Sequence, residues 1–237
     1  MYTRPYLMSR NNIFAPGEFY HVYNRGVEKR KIFCTKTDYE RFIALLFLCN
    51  SRARVHMADI IPRGLTSWNL QGITELFERG EELVDIGAYC LMPNHFHLII
   101  REKSEKGLSL FMQKVTTGYT MYFNTLNKRT GALLQGTFKS THVENDRYLK
   151  YLISYLHLNP IKLIEPQWKE NGIKNKKKAE SFLKRYRYSS YVDYAGEDRM
   201  EKCVLNTDSL PKYFETLKHF KTNVAEWLSY PRDVHEV

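Results

Sequence analysis

The spacing of apolar residues along the chain predicts three amphipathic helices. Apolar side chains repeat every three or four residues in Tyr39–Cys49, Leu108–Leu126 and Arg147–Leu158. This period lines them up along one face of a helix, so each helix is expected to bury one side. Pro160 should end the third helix, because proline lacks the amide hydrogen that a continuing helix needs. Gly118 interrupts the second helix and indicates that a neighbouring group approaches closely there.

Shorter apolar runs predict an antiparallel sheet. Phe19–Tyr23 is the first predicted strand, and Leu133–Val143 is predicted to form a strand pair or an irregular β segment. Val84–Leu91 and His95–Ile100 flank the turn signal Pro93-Asn94, which predicts a β-hairpin. The predicted order is strand, helix, hairpin, helix, strand, helix. This order is typical of an α+β fold with a ferredoxin-like antiparallel sheet and helices on one face.

The composition changes near residue 165. Lysine and arginine dominate residues 165–187, which predicts a basic connector, and Leu210–Leu228 is predicted to form a helical extension. We therefore expect two units, residues 1–165 and residues 166–237. A short helix is expected at Ile73–Arg79, inside a stretch with no clear period.

Charge and aromatic content indicate what such a chain could bind. Of its 237 residues, 36 are lysine or arginine and 26 are aspartate or glutamate, giving a net charge of +10, and 17 tyrosines accompany 13 phenylalanines. Cations pair with phosphates and aromatic rings stack on unpaired bases, so a nucleic-acid partner fits. On charge alone, a solvated basic surface fits equally well.

Cysteine usage and hydropathy indicate the compartment. The four cysteines form no CxxC pair, which argues against a zinc ribbon and a disulfide framework. The longest apolar run, Phe42–Cys49, is too short to span a bilayer. We therefore expect a cytoplasmic protein with reduced thiols and no membrane segment.

Two histidines in the hairpin suggest a metal site. His95 and His97 lie two apart on a predicted strand, so both side chains project from the same face. Such a pair is also often structural, so a third ligand is needed to favour a metal site. Asn159, one helical turn after Tyr155, offers an amide oxygen that suits Mg²⁺ or Mn²⁺.

A phenol beside that site is a candidate nucleophile. Attack of Tyr155 on a phosphodiester would form a phosphotyrosine and release a hydroxyl group. The other interpretation of Tyr155 is a buried core tyrosine. Tyr151 shares its helix face and is the strongest rival, but the residue one turn after it is Tyr155 rather than an amide. Arg25 and Lys139 are candidate phosphate contacts, and a solvated charge is the alternative for each.

The motifs together resemble the single-tyrosine HUH transposases, most closely the REP-associated tyrosine transposases. His95-Phe96-His97 is a His-hydrophobic-His motif, and Tyr155 with Asn159 resembles the Tyr-x-x-x-Asn/Gln helix of that family. Further matching blocks occur in the family's order: Phe19–Gly26, Leu91–His97, Tyr119–Asn124, Gln135-Gly136, Phe138–Ser140 and Tyr188–Tyr191. Leu134 and Thr137 depart from the family pattern of Phe before Gln-Gly and Arg after it.

The resemblance implies a metal-dependent endonuclease that acts on single-stranded DNA next to a hairpin or palindromic repeat. It implies that Tyr155 forms a 5′-phosphotyrosine and frees a 3′-OH, with Mg²⁺ or Mn²⁺ held by His95, His97 and Asn159. Since the longer relatives in this family resemble monomers, the length of the chain and its C-terminal extension favour a monomer over a homodimer. A non-catalytic, domesticated protein that binds structured single-stranded DNA, or an RNA-binding domain, is the alternative.

Overall fold

The fold is described from a computed structural model, which covers residues 14–53, 70–210, 219, 220, 222 and 224. Its centre is a four-stranded antiparallel sheet in the order β2-β3-β1-β4. The strands are β1 (Phe19–Arg25), β2 (Val84–Met92), β3 (His95–Glu102) and β4 (Lys139–His142). The predicted hairpin is therefore confirmed as β2 and β3.

Seven α-helices lie within the described residues. They are α1 (Lys36–Leu48), α2 (Leu70–Leu76), α3 (Gly107–Leu126), α4 (Asp146–Leu158), α5 (Trp168–Asn171), α6 (Lys176–Arg185) and α7 (Tyr191–Tyr194). The three long predicted helices are confirmed within three residues at either end. The short helix predicted at Ile73–Arg79 begins three residues earlier, and the extension predicted at Leu210–Leu228 lies largely outside the described residues.

One face of the sheet is covered by α1 and α3. A capping box begins α1, because the amide of Asp38 donates to the Thr35 hydroxyl and the amide of Thr35 donates to the Asp38 carboxylate. In α3 a Cβ on Gly118 would lie 3.3 Å from Leu45 Cδ2 of α1, so the predicted close approach is confirmed. The side chains of Phe96, Leu98 and Ile100 from β3 complete this core.

The opposite face of the sheet is covered by α4. Leu152 and Leu156 of α4 pack against Ala88 and Cys90 of β2 and Ile99 of β3. The antiparallel α+β sheet is confirmed, with the difference that helices cover both of its faces and not one. The reason is that β2 and β3 carry apolar residues at consecutive positions, so each face offers an apolar surface that needs a cover.

The basic segment after residue 165 is helical where a connector was predicted. Trp168 of α5 and Leu183 of α6 pack with Leu158 and Ile161, at the end of α4. The charged side chains of α6 point outward while Ala179 and Leu183 are buried, so the helix is amphipathic. A segment rich in lysine therefore supports the end of α4. The boundary at residue 165 between two units stays a prediction.

The motif Tyr188–Tyr191 lies along the outer edge of β2. The amide of Leu91 donates to the carbonyl of Tyr188, and the amide of Ser190 donates to the carbonyl of Tyr89. The Ser190 hydroxyl lies 2.8 Å from Nε2 of His157, which links this edge to α4. Within the described residues, no helix is long and apolar enough to cross a membrane.

His157 generates a prediction about pH and stability. Its ring is fully buried and burial lowers its pKa from 6.5 to about 3, so the folded protein keeps it neutral while the unfolded chain binds a proton below pH 6.5. The free energy of unfolding should fall by about 1.4 kcal/mol per pH unit between pH 6 and pH 4 from this residue alone. His157→Gln should lack this contribution, as urea unfolding at several pH values would show. Parallel pH profiles for the two proteins would contradict the assignment.

Candidate nucleic-acid cleavage site

The two histidines of the hairpin lie on the sheet face that α4 covers. Strand alternation sends Phe96 into the core beneath α1 and α3, and sends His95 and His97 to the other side. Their ring centroids are 5.0 Å apart and the rings are nearly perpendicular. The predicted pair of imidazoles on one face is therefore present.

Hydrogen bonds fix which ring nitrogen each histidine presents. Nδ1 of His95 lies 2.7 Å from Oδ1 of Asn94, and Nδ1 of His97 lies 2.9 Å from Nε2 of His21 on β1. A partner on one ring nitrogen orients the ring and leaves the other nitrogen for a ligand. In both histidines the nitrogen left for a ligand is Nε2.

The histidines are neutral at physiological pH. Burial lowers the pKa of His95 to about 4, and the positive charges of Lys162, Lys169 and Arg25 act in the same direction. Burial also holds the pKa of His97 well below its usual range, with further lowering from neighbouring charges. An imidazole must be unprotonated to bind a metal ion, so both rings are in the state that a metal requires.

The phenol of Tyr155 faces the histidines from α4. Its ring centroid is 6.3 Å from that of His97, and the two rings are nearly perpendicular. On its other side Tyr155 stacks with Tyr151, at 5.9 Å between centroids. The structure therefore brings Tyr155, His95 and His97 together, and its ring contact with His97 distinguishes Tyr155 from the rival Tyr151.

Asn159, the predicted third ligand, is connected in the structure to Tyr155. It lies at the end of α4 with 3% of its surface exposed, and its amide donates to the carbonyl oxygen of Tyr155 at 3.4 Å. Its side chain makes no hydrogen bond to His95 or His97. In the described part of the chain, no three His, Cys, Asp or Glu side chains are arranged to hold a metal ion. Of the three predicted ligands, only His95 and His97 belong to these residue types. The role of Asn159 as third ligand therefore stays a prediction.

A cationic cleft of about 730 Å³ opens beside His95. Arg25 and Lys139, the two predicted phosphate contacts, both line it. Three further cations, Lys29, Lys31 and Lys162, line it as well, and no acidic residue is among its lining residues. Nε of Arg25 donates to Gln135 Oε1 at 2.5 Å, which connects the end of β1 to the Gln-Gly motif. The cleft therefore offers positive charge next to His95, the member of the histidine pair that lines it.

Two residues at this site were missed from the sequence. His21 lies two residues after Phe19 on β1, so the two side chains project from the same face of the strand. The ring of His21 contacts that of His97, but this contact follows only from the register between β1 and β3. Lys169 was counted in the basic connector, whereas its Nζ donates to the phenol oxygen of Tyr155 at 2.5 Å. Its position depends on how α5 packs, and no sequence pattern in residues 166–187 predicts that packing.

The architecture and the site together define a class of protein. A four-stranded antiparallel sheet carries a His-hydrophobic-His pair on one face, and a helix places a tyrosine against that pair. Residues 45–159 match the family model described as transposase, IS200-like. This match confirms the resemblance to single-tyrosine transposases that the sequence motifs predict.

Comparison with solved structures agrees on the fold. A structure of a REP-associated tyrosine transposase bound to a REP hairpin matches with a TM-score of 0.50 and 12% identity, covering 82% of this chain and 90% of the other. The tRNA(His) guanylyltransferase of Saccharomyces cerevisiae matches with a TM-score of 0.35 and 12% identity, over 87% of this chain and 86% of that one, which is too low to support an argument. Among curated proteins, none matches the chain significantly.

Proposed function

We propose that this protein is a transposase-type endonuclease and strand transferase acting on single-stranded DNA. Tyr155 attacks a phosphodiester next to a DNA hairpin, which gives a 5′-phosphotyrosine and a free 3′-OH. The observation that carries this proposal is the contact of the Tyr155 ring with His97, whose neutral neighbour His95 lines a cleft rich in cations. The family match supports the same reaction class.

A metal ion fits the residues present. Nε2 of His95 and Nε2 of His97 would hold Mg²⁺ or Mn²⁺, with the amide oxygen of Asn159 as the third protein ligand. The fit rests on the two Nδ1 atoms being engaged by Asn94 and His21, which directs both Nε2 atoms to a ligand. When bound, such an ion polarises a phosphoryl oxygen and orients the phosphodiester.

The DNA strand is proposed to follow the cationic cleft. Arg25 and Lys139 would contact phosphates on the way to His95, because both line the cleft and neither makes an ion pair with a carboxylate of the described residues. One structure with the same fold is described as bound to a REP hairpin. We propose a hairpin or palindromic repeat in single-stranded DNA as the partner of this chain also.

The Tyr155→Phe variant tests the nucleophile. With Mn²⁺ and a library of single-stranded oligonucleotides that share a stem-loop and differ in their flanks, the wild type should form a covalent adduct that keeps the 3′ label. Tyr155→Phe should form none and should still bind the stem-loop, because it loses only one oxygen. Denaturing gels and mass spectrometry of the linked peptide would measure this.

The same experiment separates the two candidate functions. An adduct in Tyr155→Phe would move the nucleophile to another residue, with Tyr151→Phe as the next variant to examine. Tight binding of stem-loops by the wild type, with no adduct on any library member, would identify a non-catalytic binding protein.

The His97→Ala variant tests the metal site. Its affinity for Mn²⁺, measured by electron paramagnetic resonance in the absence of DNA, should fall at least about tenfold, because one of the few protein ligands is removed. Adduct formation should fall with it, while stem-loop binding without metal stays within a factor of about three. The matched control is His142→Ala, since His142 lies on β4 and pairs with Glu18. Equal Mn²⁺ affinity in His97→Ala and wild type would contradict the proposed ligand.

The Lys139→Met variant tests the path of the strand. Each phosphate contact to a single strand adds about 0.7 to the slope of log affinity against log salt. Loss of Lys139 should therefore lower that slope by about 0.7 and weaken binding of unrelated sequences alike. Lys202→Met is the control, since Lys202 is exposed and is not among the residues that line the cleft. Fluorescence anisotropy at several salt concentrations measures both, and an unchanged slope for Lys139→Met would exclude that contact.

A further inference from the structure

Lys169 makes a direct contact with the oxygen atom that the proposed reaction uses. Its Nζ lies 2.5 Å from the phenol oxygen of Tyr155 and 4.2 Å from the centroid of that ring. An ammonium group has only donors, so the phenol oxygen accepts this hydrogen bond. The nucleophile is therefore in contact with a positive charge before any substrate is present.

The fold holds Lys169 in this position. Its neighbour Trp168 is 6% exposed and packs with Leu158 and Ile161, directly after the end of α4. The amide of Trp168 donates to the carbonyl of Glu165, whose carboxylate in turn accepts from the amides that follow α5. Lys169 is half-buried, whereas Lys177 on α6 is exposed. The buried side chain of Trp168 thus fixes the position of the backbone at Lys169.

The charge of Lys169 also reaches the histidines. It contributes to the lowered pKa values of His21, His95 and His97, in each case after burial, which is the largest cause. The ammonium therefore lies close to the phenol and close enough to the histidines for its charge to act on all three. A phosphodiester attacked by Tyr155 and held at His95 and His97 would bring its negative charge into this region.

We propose that Lys169 is a catalytic residue of the strand-cleavage reaction, in which its ammonium group hydrogen-bonds the phenol oxygen of Tyr155 and stabilises the negative charge shared by that oxygen and the phosphodiester. This role rests on the proposed function. A fixed donor aimed at an atom on which charge develops stabilises the transition state without reorganisation.

The step balances without any further reactant. A lone pair of the phenol oxygen forms the bond to phosphorus, and the bond between phosphorus and the 3′-oxygen breaks. The 3′-oxygen leaves with the electron pair of that bond. The phenol proton is released and the 3′-oxygen gains one proton, so the products are a phosphotyrosine and a 3′-hydroxyl. Lys169 keeps its protons throughout and acts through its charge.

Three variants test this role. Single-turnover rates of adduct formation are measured with saturating stem-loop DNA and Mn²⁺ for Lys169→Met, Lys169→Arg and the control Lys177→Met. Removing one such donor costs about 100-fold or more in rate, so Lys169→Met should slow adduct formation by about that factor. Lys169→Arg keeps the charge and should recover most of the rate. Lys177→Met should match the wild type.

A second readout separates charge from folding and does not need the metal. Metal-free protein is treated with an arylsulfonyl fluoride, which modifies nucleophilic phenols, and labelling of Tyr155 is followed by peptide mass spectrometry. Labelling should fall about tenfold in Lys169→Met and stay near the wild-type level in Lys169→Arg. The affinity of each variant for stem-loop DNA, which should change less than about threefold, shows that the variant is folded.

The outcomes distinguish this role from the proposed function. Adduct formation by Lys169→Met at the wild-type rate would overturn the role and leave the nuclease function standing. A Lys169→Arg variant as slow as Lys169→Met would overturn the part assigned to charge. If the wild type forms no adduct, the nuclease function fails and the role of Lys169 fails with it.

Discussion

The double-sided burial of β3 is the constraint on which the rest of the structure depends. β3 pairs with β1 on one side and β2 on the other, so its backbone forms hydrogen bonds to a neighbouring strand on both sides. Its even-numbered positions, Phe96, Leu98 and Ile100, enter the core under α1 and α3, while His95 and His97 face α4. A shift of one residue in register would exchange the two sets and place imidazoles in the apolar core. The register that builds the core therefore also fixes the site.

The position of α4 depends on its contacts with the sheet and on contacts at its C-terminal end. Leu149, Leu152 and Leu156 hold the helix against β2 and β3, while His157 joins it to Ser190. The helices after residue 165 then close over its end through Trp168. Residues outside the candidate site thus set the distance between Tyr155 and the histidines. The motif Tyr188–Tyr191 contributes to this support through Ser190.

Much of this could be predicted from the sequence, because local patterns and short motifs carry it. The hairpin, the three long helices and the approach at Gly118 follow from periodicity and turn chemistry. The pairing of His21 with His97 could not be predicted, since it depends on the register between strands 76 residues apart. The contact of Lys169 with Tyr155 could not be predicted for another reason. Lys169 belongs to a run of similar lysines, and only the packing of Trp168 determines that it is the one that reaches the site.

Burial and the neighbouring positive charges both favour the neutral form of the two histidines. Burial is the main cause of the lowered pKa of His95, and the positive charges of Lys162, Lys169 and Arg25 add to its effect. The same repulsion acts on any divalent ion that approaches Nε2. Phosphate groups in the cleft would offset it, because each brings a negative charge next to these cations. Under the proposed function, the negative charge of the DNA strand therefore offsets the positive charges that oppose metal binding, and two of the cations that lower the pKa of His95, Arg25 and Lys162, also line the cleft that receives the strand.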